Sequence, residues 1–251
     1  MTEPLSLAIV GGVALVAGAI NAVAGGGSLI TFPTLVAVGL PPITASVTNT
    51  VAMCPGYLGA TIAQRRDLEG QGKRAVKMLP VAAIGGAGGA VLLLSTGESS
   101  FKFIVPFLIL FAALSVAAQD KLRAWIVKKD HTARAEALAV VPIAFAAVYG
   151  GYFGAGMGVM ILGALGIVLA DKLLRINALK QCVSLAVNAT AAVVFLVWGP
   201  IDWPIAGVMM AGSLVGGGFG GVLARHIPPA ALRWMVVVIG VSVSIMYFLK
   251  L

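Results

Sequence analysis

The sequence predicts an all-α polytopic membrane protein with two inverted repeats, each a broken-helix hairpin followed by three transmembrane helices. Of its 251 residues, 60% are hydrophobic and only 10% are charged, whereas a soluble domain has roughly 25% charged residues. Apolar runs recur along the chain, basic residues cluster between them, and the two halves share glycine-rich motifs. The composition excludes a soluble globular enzyme, a disordered chain and a nucleic-acid-binding protein.

The apolar runs define the predicted membrane segments, because a bilayer core of roughly 30 Å requires about 20 apolar residues per helix. Three runs are shorter, and each of them adjoins a glycine cluster. We therefore interpret 5–40 and 137–170 as hairpins whose glycine tips stop inside the membrane. The ten runs lie at 5–24, 28–40, 43–62, 76–95, 101–118, 137–153, 157–170, 177–198, 202–224 and 231–250.

The basic residues predict the orientation of these segments, because cytoplasmic loops carry an excess of Lys and Arg. The stretches 63–77, 119–136, 171–180 and 225–233 hold five, five, three and two of the 17 basic residues. With all four in the cytoplasm, both termini lie on the extracytoplasmic side of the cell (inner) membrane. No Lys or Arg precedes Arg65, so we expect the first apolar run to be retained rather than cleaved as a signal peptide.

The halves resemble each other, with three pairs of similar segments about 132 residues apart. One pair joins the glycine cluster around Gly26 to that around Gly156, and the topology of the second half is inverted relative to the first. We divide the chain into a first repeat (1–118), a cytoplasmic linker (119–136) and a second repeat (137–251). Inverted repeats with broken helices are typical of transporters, which bind substrate at the repeat interface.

The glycine tips are the candidate substrate site. A helix begins after each tip, and its free N–H groups and positive dipole end attract an anion. Polar stripes follow both tips, and polar faces of membrane helices turn towards the protein interior. The alternative interpretation of these features is close helix packing and hydrogen bonding between helices. The candidate substrate-binding residues are Gly25, Gly26, Gly27, Ser28, Thr31, Thr48, Asn49, Gly156, Gly158, Gln181, Ser184 and Asn188.

Two further glycine clusters, around Gly86 and Gly218, are interpreted as close-packing faces against the hairpins. No ionisable residue lies in the middle of a predicted span. This disfavours a carboxylate-based proton pump, and we expect backbone and hydroxyl donors, rather than a buried arginine, to hold the anion. Gly27→Leu should then abolish transport. No catalytic constellation, metal-ligand cluster or nucleotide motif can be assembled at depth, so we expect neither an enzyme nor a cofactor.

Several motifs resemble those of one known family. They are Gly25 to Pro33, Gly39 to Pro42, Ala45 to Asn49, Tyr149 to Gly158 and Gly199 to Trp203. Over nearly the whole chain the sequence is similar to the TauE/SafE sulfite exporter family. The resemblance implies transport of small sulfur-containing anions such as sulfite, thiosulfate or organosulfonates such as sulfoacetate. Met157 and Val159 depart from the small residues expected in the second tip.

The leading hypothesis is therefore a secondary transporter of small oxyanions or organosulfonates that works by alternating access in the lipid bilayer. A passive anion channel is one alternative, and it would require a continuous polar pore. A non-transporting scaffold subunit is another, although the predicted loops are short for a docking surface. The sequence leaves open which anion is carried, the direction of transport, the coupling ion and whether the chain forms a homo-oligomer. It also leaves open whether the hairpins are re-entrant or cross the membrane fully.

Overall fold

The structure is a computed structural model that describes residues 4–118, 140–169, 171–223 and 229–249. Over these ranges it consists of α-helices joined by short connections, with one 3₁₀ turn at Arg65–Leu68 and no β-strand. The helices are α1 (Pro4–Val23), α2 (Ser28–Ala37), α3 (Pro42–Ala63), α4 (Gly72–Ser95), α5 (Glu98–Ala117), α6 (Val140–Tyr152), α7 (Met157–Val168), α8 (Leu173–Trp198), α9 (Trp203–Leu223) and α10 (Pro229–Phe248).

The helices match the predicted apolar runs and confirm an all-α polytopic membrane protein. Within the described ranges, α1, α4, α5, α8 and α9 are long and apolar enough to cross a bilayer. Large apolar side chains such as Ile84 and Phe145 are about three-quarters exposed on the surface of the bundle, as expected of residues that face lipid. Trp198 and Trp203 flank one connection and are also exposed, which suits a membrane interface. The predicted linker 119–136 and residues 225–228 lie outside the described residues.

The bundle has two ends, which we name by their charge. The basic end carries residues 64–77 and 171–175, joined by hydrogen bonds such as Gln71 Nε2 to the Arg175 carbonyl at 2.9 Å. The opposite end carries the α2–α3 connection, where the Ile43 N–H donates to Glu98 Oε1 at 3.3 Å. It also carries the connection 199–202.

The hairpins enter from different ends of the bundle. The hairpin α1–α2 leads into α3 at the opposite end, whereas α6–α7 leads into α8 at the basic end. Because α2 has 10 residues and α7 has 12, they rise only ~15 Å and ~18 Å. Both are therefore too short to span the membrane. Opposed hairpins are what the inverted-repeat interpretation requires, and the division at 118 and 137 stays a prediction.

Glycine faces pack the hairpins against long helices, as the sequence predicted. On α9, Gly212, Gly216 and Gly220 recur every four residues, and a methyl group on any of them would overlap the backbone of α1. Helix α4 packs against α6 and α8 in the same way. A methyl group on Gly86 would lie 2.5 Å from the Val187 carbonyl oxygen. Backbones approach this closely only when the side chain is a hydrogen atom.

One prediction about the spans is wrong. Residues 173–180 are not a loop, because α8 begins at Leu173. Lys180 therefore lies two turns inside a membrane helix and is fully buried. The statement that no basic residue lies within a span fails at this position. The expectation that backbone and hydroxyl donors alone hold an anion was based on the absence of such a residue, so it no longer has that support.

Candidate functional site

The two glycine tips meet inside the bundle. A methyl group in place of the Gly158 hydrogen would lie 3.4 Å from Gly25 Cα, so the two backbones are in near contact. Gly25 has φ +84° and Gly156 has φ +76°, a left-handed conformation that glycine adopts without steric cost. Residues 21–30 and 155–159 are buried. The tips therefore bring the start of α7 against the residues that precede α2, away from solvent.

The first tip is held by side chains that sequence reasoning missed. Asn21 Oδ1 accepts a 2.7 Å hydrogen bond from the Gly27 N–H, so one amide of this tip already has a partner. Gln181 Nε2 donates to the carbonyl oxygens of Asn21 and Ala22, both at 2.9 Å. Gln181, predicted as a site residue, thus reaches from α8 in the second half to the tip of the first half.

Several polar atoms at this tip lack partners. Asn21 Nδ2 and Gln181 Oε1 are buried and have no hydrogen-bond partner among the described residues. Each shares a carboxamide with an atom that bonds to the tip, so both lie beside it. Buried polar groups are nearly always paired. Unpaired donors and acceptors beside two helix N-termini therefore point to a polar molecule that binds there.

The second tip is held differently. The Tyr149 hydroxyl donates to the carbonyl oxygen of Ala155 at 2.7 Å, and Gly156 packs against Ala112 of α5. In the first half, Gly26 likewise packs against Val116. Gly26 and Gly156 therefore contact flanking helices, whereas Gly25 and Gly158 form the junction between the tips.

The remaining predicted residues fall into separate places. Thr31 Oγ1 donates to Asn49 Oδ1 at 2.5 Å, linking α2 to α3 one turn after buried Ser28. Ser184 and Asn188 are buried on α8, where Asn188 Nδ2 donates to the Ser184 carbonyl. The Thr31 N–H also donates to the carbonyl oxygen of Gly27 at 3.3 Å, which joins the first pair to the first tip. Ser184 Oγ is buried and has no hydrogen-bond partner among the described residues, so no such bond joins it to a tip.

Thr48 serves another connection. Its Oγ1 accepts a 3.1 Å hydrogen bond from the Asp202 N–H, towards the opposite end of the bundle. It is fully buried, but its hydroxyl holds the loop before α9. This hydrogen bond does not support a role for Thr48 in substrate binding, which stays a prediction.

Lys180 is the main residue that the sequence interpretation missed. Its Nζ donates to the Asn21 carbonyl oxygen at 3.0 Å, and its side chain is fully buried. A methyl group on Gly158 would lie 3.8 Å from Lys180 Cδ, so the aliphatic stem passes the second tip. The sequence did contain a pattern that indicates its position. Lys180, Ser184 and Asn188 are spaced by four residues and therefore share one helical face.

Two polar layers lie between the tips and the basic end. In the inner layer, Asn177 Nδ2 donates to Gln64 Oε1 at 2.8 Å and to the Ala22 carbonyl at 3.0 Å. In the outer layer, Asp171 pairs with Arg74 at 2.7 Å and with Arg175 at 2.9 Å. Both layers join the α3–α4 connection of the first half to the start of α8 in the second.

Asp171 is ionised under ordinary conditions. Burial raises its pKa, but hydrogen bonds from Arg74, the Lys172 N–H and Arg175 outweigh that effect, and the net pKa lies below the usual value. The outer layer is therefore a charged cluster whose carboxylate is held between two guanidinium groups.

A cavity of about 1360 Å³ lies apart from the tips. Helices α1, α2, α5 and α10 form its walls, which are mainly apolar, and Glu98 and Lys102 lie on its rim. Neither the tip glycines nor Lys180 line it. Its mainly apolar lining suits an apolar group better than a small anion.

Comparisons with known proteins agree with this architecture. A protein of Haemophilus influenzae named "Probable membrane transporter protein" is 33% identical over 238 residues, covering 92% of this chain and 90% of its own. "Probable membrane transporter protein YfcA" of Escherichia coli K12 is 28% identical, with coverage of 97% and 90%. "Probable membrane transporter protein ORF9" of Sinorhizobium sp is 26% identical, with coverage of 92% and 88%. No solved structure matches the chain.

The family assignment rests on a longer pattern than any single motif. The sequence profile described as "Sulfite exporter TauE/SafE" matches residues 10–247, which include both hairpins, both tips and all ten helices in whole or in part. Together with the opposed hairpins and the apolar surface, this match shows that the chain is a membrane transporter belonging to the sulfite exporter TauE/SafE family.

Proposed function

We propose that this protein is a secondary transporter that moves small sulfur-containing anions, such as sulfite, thiosulfate or sulfoacetate, by alternating access between its two halves. The observation that carries the proposal is the contact of the tips at Gly25 and Gly158 beside unpaired polar atoms of Asn21 and Gln181. Family membership supports the substrate class. The anion would exchange its hydration shell for the unpaired Asn21 Nδ2 donor and the positive dipole ends of α2 and α7.

The polar layers at the basic end support alternating access. Every hydrogen bond that joins Gln64, Gln71 or Arg74 to the start of α8 links the two proposed repeats. Breaking this set would open a path from the basic end to the tips, while the glycine faces that pack α1 against α9 and α4 against α6 stay in contact. Rearrangement of one half against the other around a fixed site is the usual transporter mechanism.

The proposed orientation places the basic end in the cytoplasm. Arg65, Arg66, Lys73 and Lys77 lie beside the paired Arg74 and Arg175 there, and the positive-inside rule assigns such an end to the cytoplasm. Both termini then lie on the extracytoplasmic side of the cell membrane.

The test combines binding and flux on the purified protein. A thermal-shift screen with sulfite, thiosulfate, sulfoacetate, taurine and sulfate should reveal stabilisation by at least one sulfur-containing anion, because a ligand that binds only the folded state raises the Tm. In proteoliposomes, uptake of that anion should saturate and be accelerated by unlabelled anion on the far side.

Three outcomes would contradict the proposal. Absence of stabilisation by every compound would refute the substrate class. Flux that rises linearly with concentration and lacks counterflow would favour a passive channel instead. Stabilisation without any flux would favour a binding or scaffold role.

A further inference from the structure

The apolar cavity has a volume of about 1360 Å³, which exceeds the roughly 300–1,000 Å³ of pockets that bind small molecules. It lies where α1 packs against α9 and α10 packs against α5, so that α1 and α10 are held apart. Small residues on its walls, such as Gly12 and Ala37, leave it wide. A methyl group on Gly12 would meet no atom within 4 Å. A space of this size and lining suits a long apolar ligand.

The cavity follows the long axis of α10. Its lining residues on this helix run from Met235 to Tyr247, a rise of ~18 Å. This is close to one leaflet of the bilayer, which is about half of the ~30 Å hydrocarbon core. Met235 and Met246 form part of the wall, and their flexible side chains adapt to an irregular surface. The depth therefore corresponds to an acyl chain from a single leaflet.

Two side chains of opposite charge lie on the rim of the cavity. Glu98 begins α5 and Lys102 follows one turn later, and both are exposed. The Ile43 N–H donates to Glu98 Oε1, which holds the carboxylate beside the α2–α3 connection. Glutamate and lysine four residues apart on a helix commonly pair, but no salt bridge joins these two described side chains. Each charge can therefore meet a group of a ligand.

We propose that this cavity binds one phospholipid with an ethanolamine headgroup, drawn from the leaflet at the opposite end of the bundle. An acyl chain fills the apolar space, Lys102 pairs with the phosphate, and Glu98 accepts hydrogen bonds from the ammonium group. A phosphoglycerol headgroup has the same phosphate but no ammonium, so Glu98 would meet only negative charge. The inference goes beyond the proposed transport function and does not depend on which anion the protein carries.

The rival explanation is that any lipid chain fills the cavity while the rim charges are simply solvated. Long charged side chains near a membrane surface often reach water in this way. In that case the protein has no preference between headgroups, and removal of either rim charge leaves lipid binding unchanged. The two explanations therefore differ in a property that can be measured.

The first part of the experiment tests the cavity. Native mass spectrometry and the rise in Tm on lipid addition measure binding of dioleoyl phosphatidylethanolamine and dioleoyl phosphatidylglycerol, which have the same chains. Gly12→Leu places a side chain in the cavity. Gly207→Leu is the matched control, because Gly207 is exposed within α9, a methyl group there also meets no atom within 4 Å, and the residue does not line the cavity.

The second part tests the headgroup. Glu98→Gln removes the proposed partner of the ammonium group, and Lys102→Gln removes that of the phosphate. Glu69→Gln is the control for loss of one acidic group, since Glu69 is exposed at the basic end. The same two lipids are titrated against each variant.

We expect wild type to prefer the ethanolamine lipid by ~2- to 5-fold, as for an exposed charge pair. Gly12→Leu should bind both lipids at least ~5-fold more weakly than Gly207→Leu does, because the cavity is overpacked. Glu98→Gln should weaken binding of the ethanolamine lipid only, which abolishes the preference. Lys102→Gln should weaken binding of both lipids, and Glu69→Gln should weaken neither.

Other results would overturn the inference. Equal binding of both lipids to wild type would refute recognition of the headgroup. Equal binding to Gly12→Leu and Gly207→Leu would place the lipid elsewhere. If wild type retains neither lipid but forms a dimer that Gly12→Leu abolishes, a second copy of the chain occupies the cavity instead. If Gly12→Leu fails to fold, the rim variants still decide, because an unchanged preference in Glu98→Gln would contradict the proposal.

Discussion

Adding one methyl group at Gly158 should weaken anion binding and transport without lowering the stability of the protein. In Gly158→Ala, the new methyl would lie 3.4 Å from Gly25 Cα and 3.8 Å from Lys180 Cδ, which are ordinary van der Waals distances. No atom has to move in the unliganded protein. Alanine also favours a helix over glycine by up to about 1 kcal/mol. The Tm should therefore stay unchanged or rise by roughly 2–4 °C for a chain of this size.

Anion binding should respond in the opposite direction. The methyl group occupies the junction of the tips, where the proposed anion must fit. Overpacking by one methyl group costs about 1–3 kcal/mol, which corresponds to a loss of affinity of roughly 5- to 150-fold. Titration with sulfite and counterflow in proteoliposomes measure the effect. Gly88→Ala is the matched control, because a methyl group at Gly88 meets open space. Unchanged affinity and flux in a folded Gly158→Ala protein would refute a site at the tips.

Three further predictions follow from packing, topology and charge. Gly86→Val should lower the Tm by roughly 5 °C or more, since its side chain would push α4 away from the Val187 carbonyl, whereas Gly88→Val should not. Lys73→Cys, at an exposed position near the start of α4, should react with a membrane-impermeant thiol reagent in inverted vesicles and not in intact cells; labelling of intact cells would reverse the orientation. The lowered pKa of Asp171 means that its contribution to stability is present above the unfolded pKa of about 3.9 and is lost as the pH falls through the lower folded pKa. Asp171→Asn should therefore lower the Tm at pH 7 and reduce the loss of Tm between pH 5 and pH 3; equal pH profiles for the two proteins would contradict this assignment.

Much of the fold could be predicted because helix length and loop charge are local properties. The runs at 5–24 and 28–40 became α1 and α2 within a few residues, since Gly25 and Gly26 between them adopt left-handed conformations that end the helix. The sequence also indicated that the tips lie inside the membrane, because each glycine cluster adjoins an apolar run that is too short to cross a bilayer. The glycines that recur on one face of α9 predicted its close packing, because small residues allow two helix backbones to approach.

The site was predicted less completely because it depends on contacts between distant segments. Lys180 was assigned to a loop since it follows Lys172 and Arg175, and the local count of charges outweighed its position on the polar face of α8. Asn21 lies before the first tip and gave no local signal of its contact with Gly27. The predicted test with Gly27→Leu also needs correction. A Cβ there would overlap the Ala17 carbonyl of α1, so that substitution would disturb helix packing before it blocked any anion.

The glycine faces on α9 have a mechanical consequence. Gly212, Gly216 and Gly220 face Gly11, Leu15 and Ala19 of α1, so much of this interface is backbone against backbone. Interlocking side chains normally resist displacement, because each must change rotamer or lift out of its groove before one helix can slide past another. At these glycines there is no side chain to lift. This interface therefore resists sliding along the helix axis less than interlocking side chains would. The α1–α2 hairpin can shear against α9 by a few ångströms while the two helices stay tightly packed.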